Sequence, residues 1–171
     1  MKMWNYTGDV RPDFAEPTKQ GQESVWDYPR PPIMQEDKRT ITIFSSQGLI
    51  AKSNACIRVL ETAGAPTFYV PPQDVQEQLL VDVAGQSFCE WKGIATYCAL
   101  TKAPSHPCGW QYREPNKAFA TLQFYYGFYP SILECYVDDE LVQAQPGGFY
   151  GGWVTSEIVG PIKGEPGSDS W

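Results

Sequence analysis

The sequence predicts a single, mainly β domain with one or two short helical segments, and three observations carry that prediction. Runs rich in Ile, Val, Thr, Phe and Tyr recur at short spacing, and several alternate with polar residues at the period of a half-buried strand. Fifteen glycines and fifteen prolines interrupt them, so regular elements are short and turns are frequent. At 171 residues with 42% hydrophobic and 14% aromatic content, the chain can bury one core without disulfides or metal as a staple.

Residues 1–22 mix charge, Pro and Gly without a period. They read as a flexible N-terminal arm, ordered on contact or mobile, with Trp4 and Tyr6 as candidate anchors. The domain itself is expected over 23–171. It opens on ESVWDYPRPP at 23–32, where three prolines fix an extended path and two aromatics can cover apolar surface. This is either a strap packed over the core or a stiff mount that points the Arg30 fork into a site. Residues 40–44 alternate, 45–48 supply a turn and 49–51 resume an extended run, which is a β-hairpin. Residues 54–62 satisfy both periods in part and read as a strand entered through a helical turn. A β-rich run at 67–70 closes on Pro71-Pro72, and Asp74 is placed to cap a short helix over 75–80.

Further along, 108–112 reads as a short strand, and the apolar spacing of 118–128 is compatible with one amphipathic helix or a strand pair. Residues 132–137 and 141–142 flank Asp138-Asp139-Glu140, a second hairpin with an acidic tip. The glycine-rich run PGGFYGGW at 146–153 is either a lid that closes over a ligand or a packed C-terminal strap.

The stretch SFCEWKGIATY at 87–97 organises the rest. As one extended run, its period of two sets Cys89 and Trp91 on one face and Glu90 and Lys92 on the other. A glycine bulge at Gly93 would reset that parity and turn Lys92 towards a cavity shared with Tyr97. Cys89 with Lys92 is the arrangement of a thiolate stabilised by an ammonium, as nucleophilic and redox thiols require; the alternative is a small hydrophobe packed beside Phe88 and Trp91. Glu61, at the end of an apolar run, is a candidate general base if buried and an ordinary strand-end residue if not. Tyr69, Tyr97, Trp110, Tyr112 and Tyr129 would line an apolar pocket with polar tips, core packing being the alternative.

A net charge of −7 argues against nucleic acid, whose binding needs Lys and Arg to displace counterions. From residue 118 onward one base, Lys163, faces seven acids, so the acid excess lies in the C-terminal third. Arg30, Lys52, Arg58, Lys92 and Arg113 in the remainder suffice for a small anionic ligand. No window approaches a membrane span. Five cysteines, an odd number without a CxxC pair and without an N-terminal apolar leader, predict free thiols and a cytoplasmic location; Cys89 and Cys135 are the two that a sheet could bring together. Cys98, His106 and Cys108 lack metal-ligand spacing, and no metal is expected.

In order along the chain, ESVWDYPRPP, PPQDV, SFCEWKGIATY, CGWQYREP, the FYP of 128–130, CYVDDELV and QPGGFYGGWVTSEIVGPIKG resemble the blocks of the bacterial proteins grouped as domain of unknown function 427. The resemblance runs from about residue 23 to the C-terminus. It implies a small all-β tent, barrel-like and similar in class to methionine sulfoxide reductase B. The nucleotidyltransferase-like label sometimes attached to that family finds no support here, because the phosphate-cradling loop and paired metal-binding carboxylates of that chemistry are missing. Two positions depart from the family pattern: Ala51-Lys52-Ser53 where relatives often read Ala-Asp-Ser, and Asp138-Asp139-Glu140 where Asp-Gly-Glu is usual. Two functional readings follow. One is a small-molecule pocket, with an anionic metabolite as candidate ligand, around Cys89, Lys92 and Tyr97; the other is a non-catalytic protein-interaction module using the acidic C-terminal third.

Overall fold

The computed structural model describes residues 4–171, so the first three residues of the expected arm lie outside the described residues. Strands dominate. In chain order they are β1 (Glu23–Ser24), β2 (Ile33–Asp37), β3 (Ile41–Ser45), β4 (Gly48–Ser53), β5 (Cys56–Leu60), β6 (Thr67–Val70), β7 (Leu80–Cys89), β8 (Gly93–Leu100), β9 (Pro107–Tyr112), β10 (Tyr126–Phe128), β11 (Glu134–Val137), β12 (Glu140–Leu141), β13 (Gln143–Ala144), β14 (Trp153–Val154) and β15 (Ile158–Val159). Helical structure among the described residues is confined to 3-10 turns, at Val25–Asp27, Pro72–Asp74, Glu77–Leu79 and Lys117–Leu122. None of these is long and apolar enough to cross a membrane.

Seven strands form one antiparallel sheet in the order β2-β5-β6-β10-β9-β8-β7, and four more form a second in the order β12-β11-β3-β4. The mainly β domain expected from the sequence is what the chain builds, but the larger sheet stays open, with β2 and β7 as its edges. The barrel-like part of the expectation is corrected, because closure would need β2 to pair with β7 and among the described residues these two strands are not neighbours. The β7–β8 register shifts between Val83 and Gln86, where Gly85 takes φ +108.

The larger sheet is buried on both faces at its centre. On β6, Phe68 and Val70 point into the space between the two sheets, where Ile41, Ile43, Ile50, Phe128, Cys135 and Trp153 pack with them. Tyr69, between them in sequence, points the other way and joins Ile57, Val59, Trp110, Tyr112 and Phe119. Burial on both sides leaves every residue of β5 buried, which is why 56–60 shows no alternation of apolar and polar residues.

The terminal segments are packed on this frame. Ring contacts at 5.1–5.2 Å set Phe14, Tyr6 and Trp171 around the fully buried Trp26, whose indole N–H donates to Pro161 O at 3.1 Å. Trp153, 1% exposed, stacks on Phe68 at 4.7 Å and donates to Phe128 O at 3.1 Å. β1 pairs in parallel with β15. An ionic network then ties both ends to the sheet: Arg58 of β5 contacts Glu23 at 2.5 Å and Asp37 at 3.4 Å, and Arg39 contacts Asp37 and Glu157, each at 2.6 Å.

Several local expectations are corrected. Instead of a helix over 75–80, two 3-10 turns flank Val75, which bridges Ala51, and Gln76 N donates to Ile50 O at 2.8 Å. The edge of β4 thus takes backbone groups a helix would have used, and Asp74 accepts from Ser53 Oγ at 2.6 Å. No helical turn opens β5. Residues 118–128 are neither one helix nor a strand pair: a 3-10 turn gives way to β10 through Phe124 at φ +63. At the acidic tip the left-handed residue is Asp138, φ +51, not Asp139, so the position where the family pattern has Gly does not need one. Asp138 also accepts from Thr40 N at 3.0 Å.

Removing the Trp153 side chain opens the space between the sheets, and Trp153→Ala should lower stability by about 3–5 kcal/mol in chemical denaturation. The Asp37 carboxylate provides a pH test. Burial works against its charge, but hydrogen bonds from Arg39 and the charges of Arg39 and Arg58 hold its pKa below the ordinary 3.8. A folded pKa lowered in this way gives stability that is complete above 3.8 and lost as pH falls through the lower folded value. Asp37→Asn should therefore lower the denaturation midpoint at neutral pH, and its deficit against the wild type should shrink once pH drops below that range.

Candidate functional site

A cavity of about 500 Å³ opens on the face of the larger sheet turned away from the smaller one. Its back wall is the ring cluster of β6, β8 and β9. Trp110 meets Tyr69 edge-on at 6.1 Å and donates to its hydroxyl at 3.4 Å, and Tyr129 lies against Trp110 at 4.6 Å. Two glycines make room for that indole. A Cβ on Gly127 or Gly151 would fall 2.4 Å or 2.1 Å from the Trp110 ring, so no side chain fits at either position. Burial pushes the phenols of Tyr69, Tyr112 and Tyr129 above their ordinary pKa, and they remain neutral hydroxyls.

The floor is the connection between β7 and β8. Residues 87–97 form a tight hairpin, not one extended strand with a bulge: Cys89 pairs with Gly93, whose φ of +100 reverses the chain. Asn116 clamps the turn, donating its backbone N–H to Lys92 O at 3.0 Å and its side-chain amide to Trp91 O at 2.8 Å. In a turn the face alternation expected for 89–92 does not apply. Cys89, Glu90, Trp91 and Lys92 all border the cavity.

Lys92 is 8% exposed. Among the described residues no carboxylate lies within ion-pair distance of its ammonium, Glu90 included. Its nearest aromatic faces are Tyr112 at 5.8 Å and Phe119 at 6.0 Å, at the outer limit of a cation–π contact. Burial opposes the charge, but Tyr69, Cys89 and Glu61 together outweigh it, and the Lys92 pKa lies above its ordinary value. Since the Tyr69 phenol is itself held neutral by burial, the ammonium is surrounded mainly by groups that become anionic only on losing a proton.

The remaining expected site residues fall into two groups. Tyr69, Tyr97, Trp110 and Tyr112 border the cavity with Lys92 and Cys89, and Tyr97 Oη donates to Ser87 Oγ at 2.8 Å. Arg30 reaches the mouth, but its fork is engaged by Glu61 at 3.2 Å, Tyr6 O at 3.1 Å and Thr62 O at 2.8 Å, with Trp4 stacked at 4.2 Å. Glu61 in turn accepts from the Trp91 indole at 3.2 Å, so it joins strap and hairpin turn rather than sitting isolated as a base. Lys52 is exposed on β4, away from this face. Sequence reasoning missed Asn116 and the pairing of Gly127 and Gly151 against Trp110. The glycines were visible as breaks, but nothing in the sequence says that both touch one ring.

All five cysteines are free, as expected. Cys89 and Cys135 are not neighbours: they belong to different sheets and to different core clusters. Among the described residues no three His, Cys, Asp or Glu side chains converge as metal ligands.

Fold and site together define a mainly β domain whose open sheet carries a ring-walled cavity with a buried lysine at its floor. The model of the family described as domain of unknown function DUF427 matches residues 33–143, and the chain belongs to that family. Comparison with curated proteins gives no match.

Cys56, Cys98, Cys108 and Cys135 are at most 3% exposed, and burial pushes the Cys56 thiol up to about 12. Native-state labelling followed by peptide mass spectrometry should therefore reach Cys89 first, with the other four reacting only after denaturant is added.

Proposed function

We propose that the protein binds a small anionic molecule with a flat, largely apolar body in this cavity, its negative group against Lys92 and its body against Trp110, Tyr69 and Tyr129. The observation that carries the reading is the Lys92 ammonium, buried at the cavity floor with no carboxylate partner among the described residues. A buried charge without an ionic partner is costly, and a ligand anion would supply the missing one. Small-molecule sites have this composition, mostly apolar and aromatic walls with a few placed polar groups.

Some acids of the C-terminal third, the basis of the interaction-module reading, are engaged within the chain. Glu140 accepts from Ser156 N at 2.6 Å, Glu157 holds Arg39, and Asp138 caps Thr40. That leaves fewer free charges for a partner and favours the cavity.

A thermal-shift panel of carboxylates and phosphates, with and without aromatic bodies, tests the proposal. A bound anion at a hundred times its Kd adds about 2.7 kcal/mol, a rise of roughly 5–10 °C for a chain of this size. Lys92→Met should abolish that rise, each protein being compared with its own unliganded melting temperature. Identical profiles in both proteins would sink the reading.

A further inference from the structure

Anion binding leaves one group at the cavity floor without a task, the Cys89 thiol. Cys89 is the last residue of β7, and Lys92 follows it in the hairpin turn that closes on Gly93. Both border the same cavity. Cys89 also differs from the other thiols of the chain in being partly exposed, whereas those four are sealed in the core. A lysine has three N–H donors and no acceptor, so one ammonium can face a thiolate and a carboxylate at once.

We propose that Cys89 is a nucleophile selective for anionic electrophiles, of which α,β-unsaturated carboxylates are the fitting class, with Lys92 holding the carboxylate while the sulfur attacks. This rests on the reading of Lys92 as an anion site and adds a covalent step to it. The Cys89 sulfur forms a bond to the β-carbon as the carbon–carbon π bond breaks. The electron pair moves to the α-carbon, which takes up the proton the thiol gave up, so the addition needs no oxidant, reductant or leaving group. The Lys92 contact draws electron density from a carboxylate that would otherwise deactivate the alkene.

Iodoacetate and iodoacetamide test this directly, since they alkylate by the same displacement and differ in charge. In both, the S–C bond forms as the C–I bond breaks, iodide leaves and the thiol proton passes to buffer. The rate at Cys89 is read by peptide mass spectrometry, and the ratio of the two reagents is compared with the ratio for glutathione. The expected ratio in favour of iodoacetate is at least about tenfold above that of glutathione. It should persist in large part in Lys92→Arg and fall to the glutathione value in Lys92→Met. Should Lys92→Met fail to fold, the wild-type ratio against glutathione decides alone. A wild-type ratio equal to that of glutathione, or a Cys89 that reacts with neither reagent in the folded protein, overturns the proposal. Saturated carboxylates separate the two readings. Unselective alkylation in a protein whose melting temperature still rises with them removes the nucleophile only; selective alkylation without that rise removes reversible binding and leaves the nucleophile.

Discussion

A seven-stranded sheet with two apolar faces must be covered twice, and the rest of the molecule follows from how differently the two sides are covered. On one side the four-stranded sheet supplies a matching surface, and Ile41, Ile43, Phe68, Phe128 and Trp153 fill the space between them. On the other side, among the described residues, there is no second sheet of comparable size and no helix of ordinary length. Aromatic side chains, the 3-10 turn at Lys117–Leu122 and irregular terminal segments cover it instead. Irregular cover packs less completely than a sheet, and the cavity lies on this side.

The segments matched by the family model and those outside it divide the cavity between them. Glu61, Tyr69, Cys89, Lys92, Tyr97, Trp110, Tyr112 and Tyr129 all lie within residues 33–143, so floor and walls belong to that part. Trp4, Arg30, Gln145, Phe149, Tyr150, Gly151 and Lys163, which border the mouth, lie outside it. The mouth is held by contacts of its own: Arg30 to Glu61, Gln145 Nε2 to Lys163 O at 2.9 Å, and Gln145 Oε1 accepting from Ala65 N at 3.1 Å. The C-terminal glycine-rich run is therefore packed at Trp153 and borders the cavity at Gly151, so it combines features of the strap and the lid that the sequence left as alternatives.

The sequence was legible where one face of a strand is polar and a turn has its usual residues. The hairpin β3–β4 and the hairpin β11–β12 both follow from alternation and turn chemistry alone. It was illegible on β5, where Cys56, Ile57, Arg58, Val59 and Leu60 are all buried and a polar residue on the pattern, Arg58, is inside because Glu23, Gln35 and Asp37 meet it there. Residues 75–80 misled for the opposite reason. Their apolar spacing is helical, but Pro71, Pro72 and the backbone of β4 claim the hydrogen bonds first. At 87–97 the residues that matter were singled out while the geometry was not: Gly93 acts as the closing residue of a turn, and only the distant Asn116 shows that the turn is clamped.

Three cations, Arg30, Lys92 and Lys163, border one cavity, and the surroundings of Arg30 and Lys92 give those two opposite roles. Arg30 has a planar fork already satisfied by a carboxylate and two backbone carbonyls, so it fixes the strap and closes the mouth. Lys92 is a compact charge on a clamped turn, facing phenols that burial keeps neutral and a thiol. On the proposed reading that asymmetry divides recognition in two. Charge at the floor selects the class of molecule that enters, because an unpaired buried ammonium favours an anion over any neutral analogue by leaving its own charge uncompensated otherwise. Shape at the mouth and along the Trp110 slot selects within that class, since the indole packs closely on the backbone of both glycines.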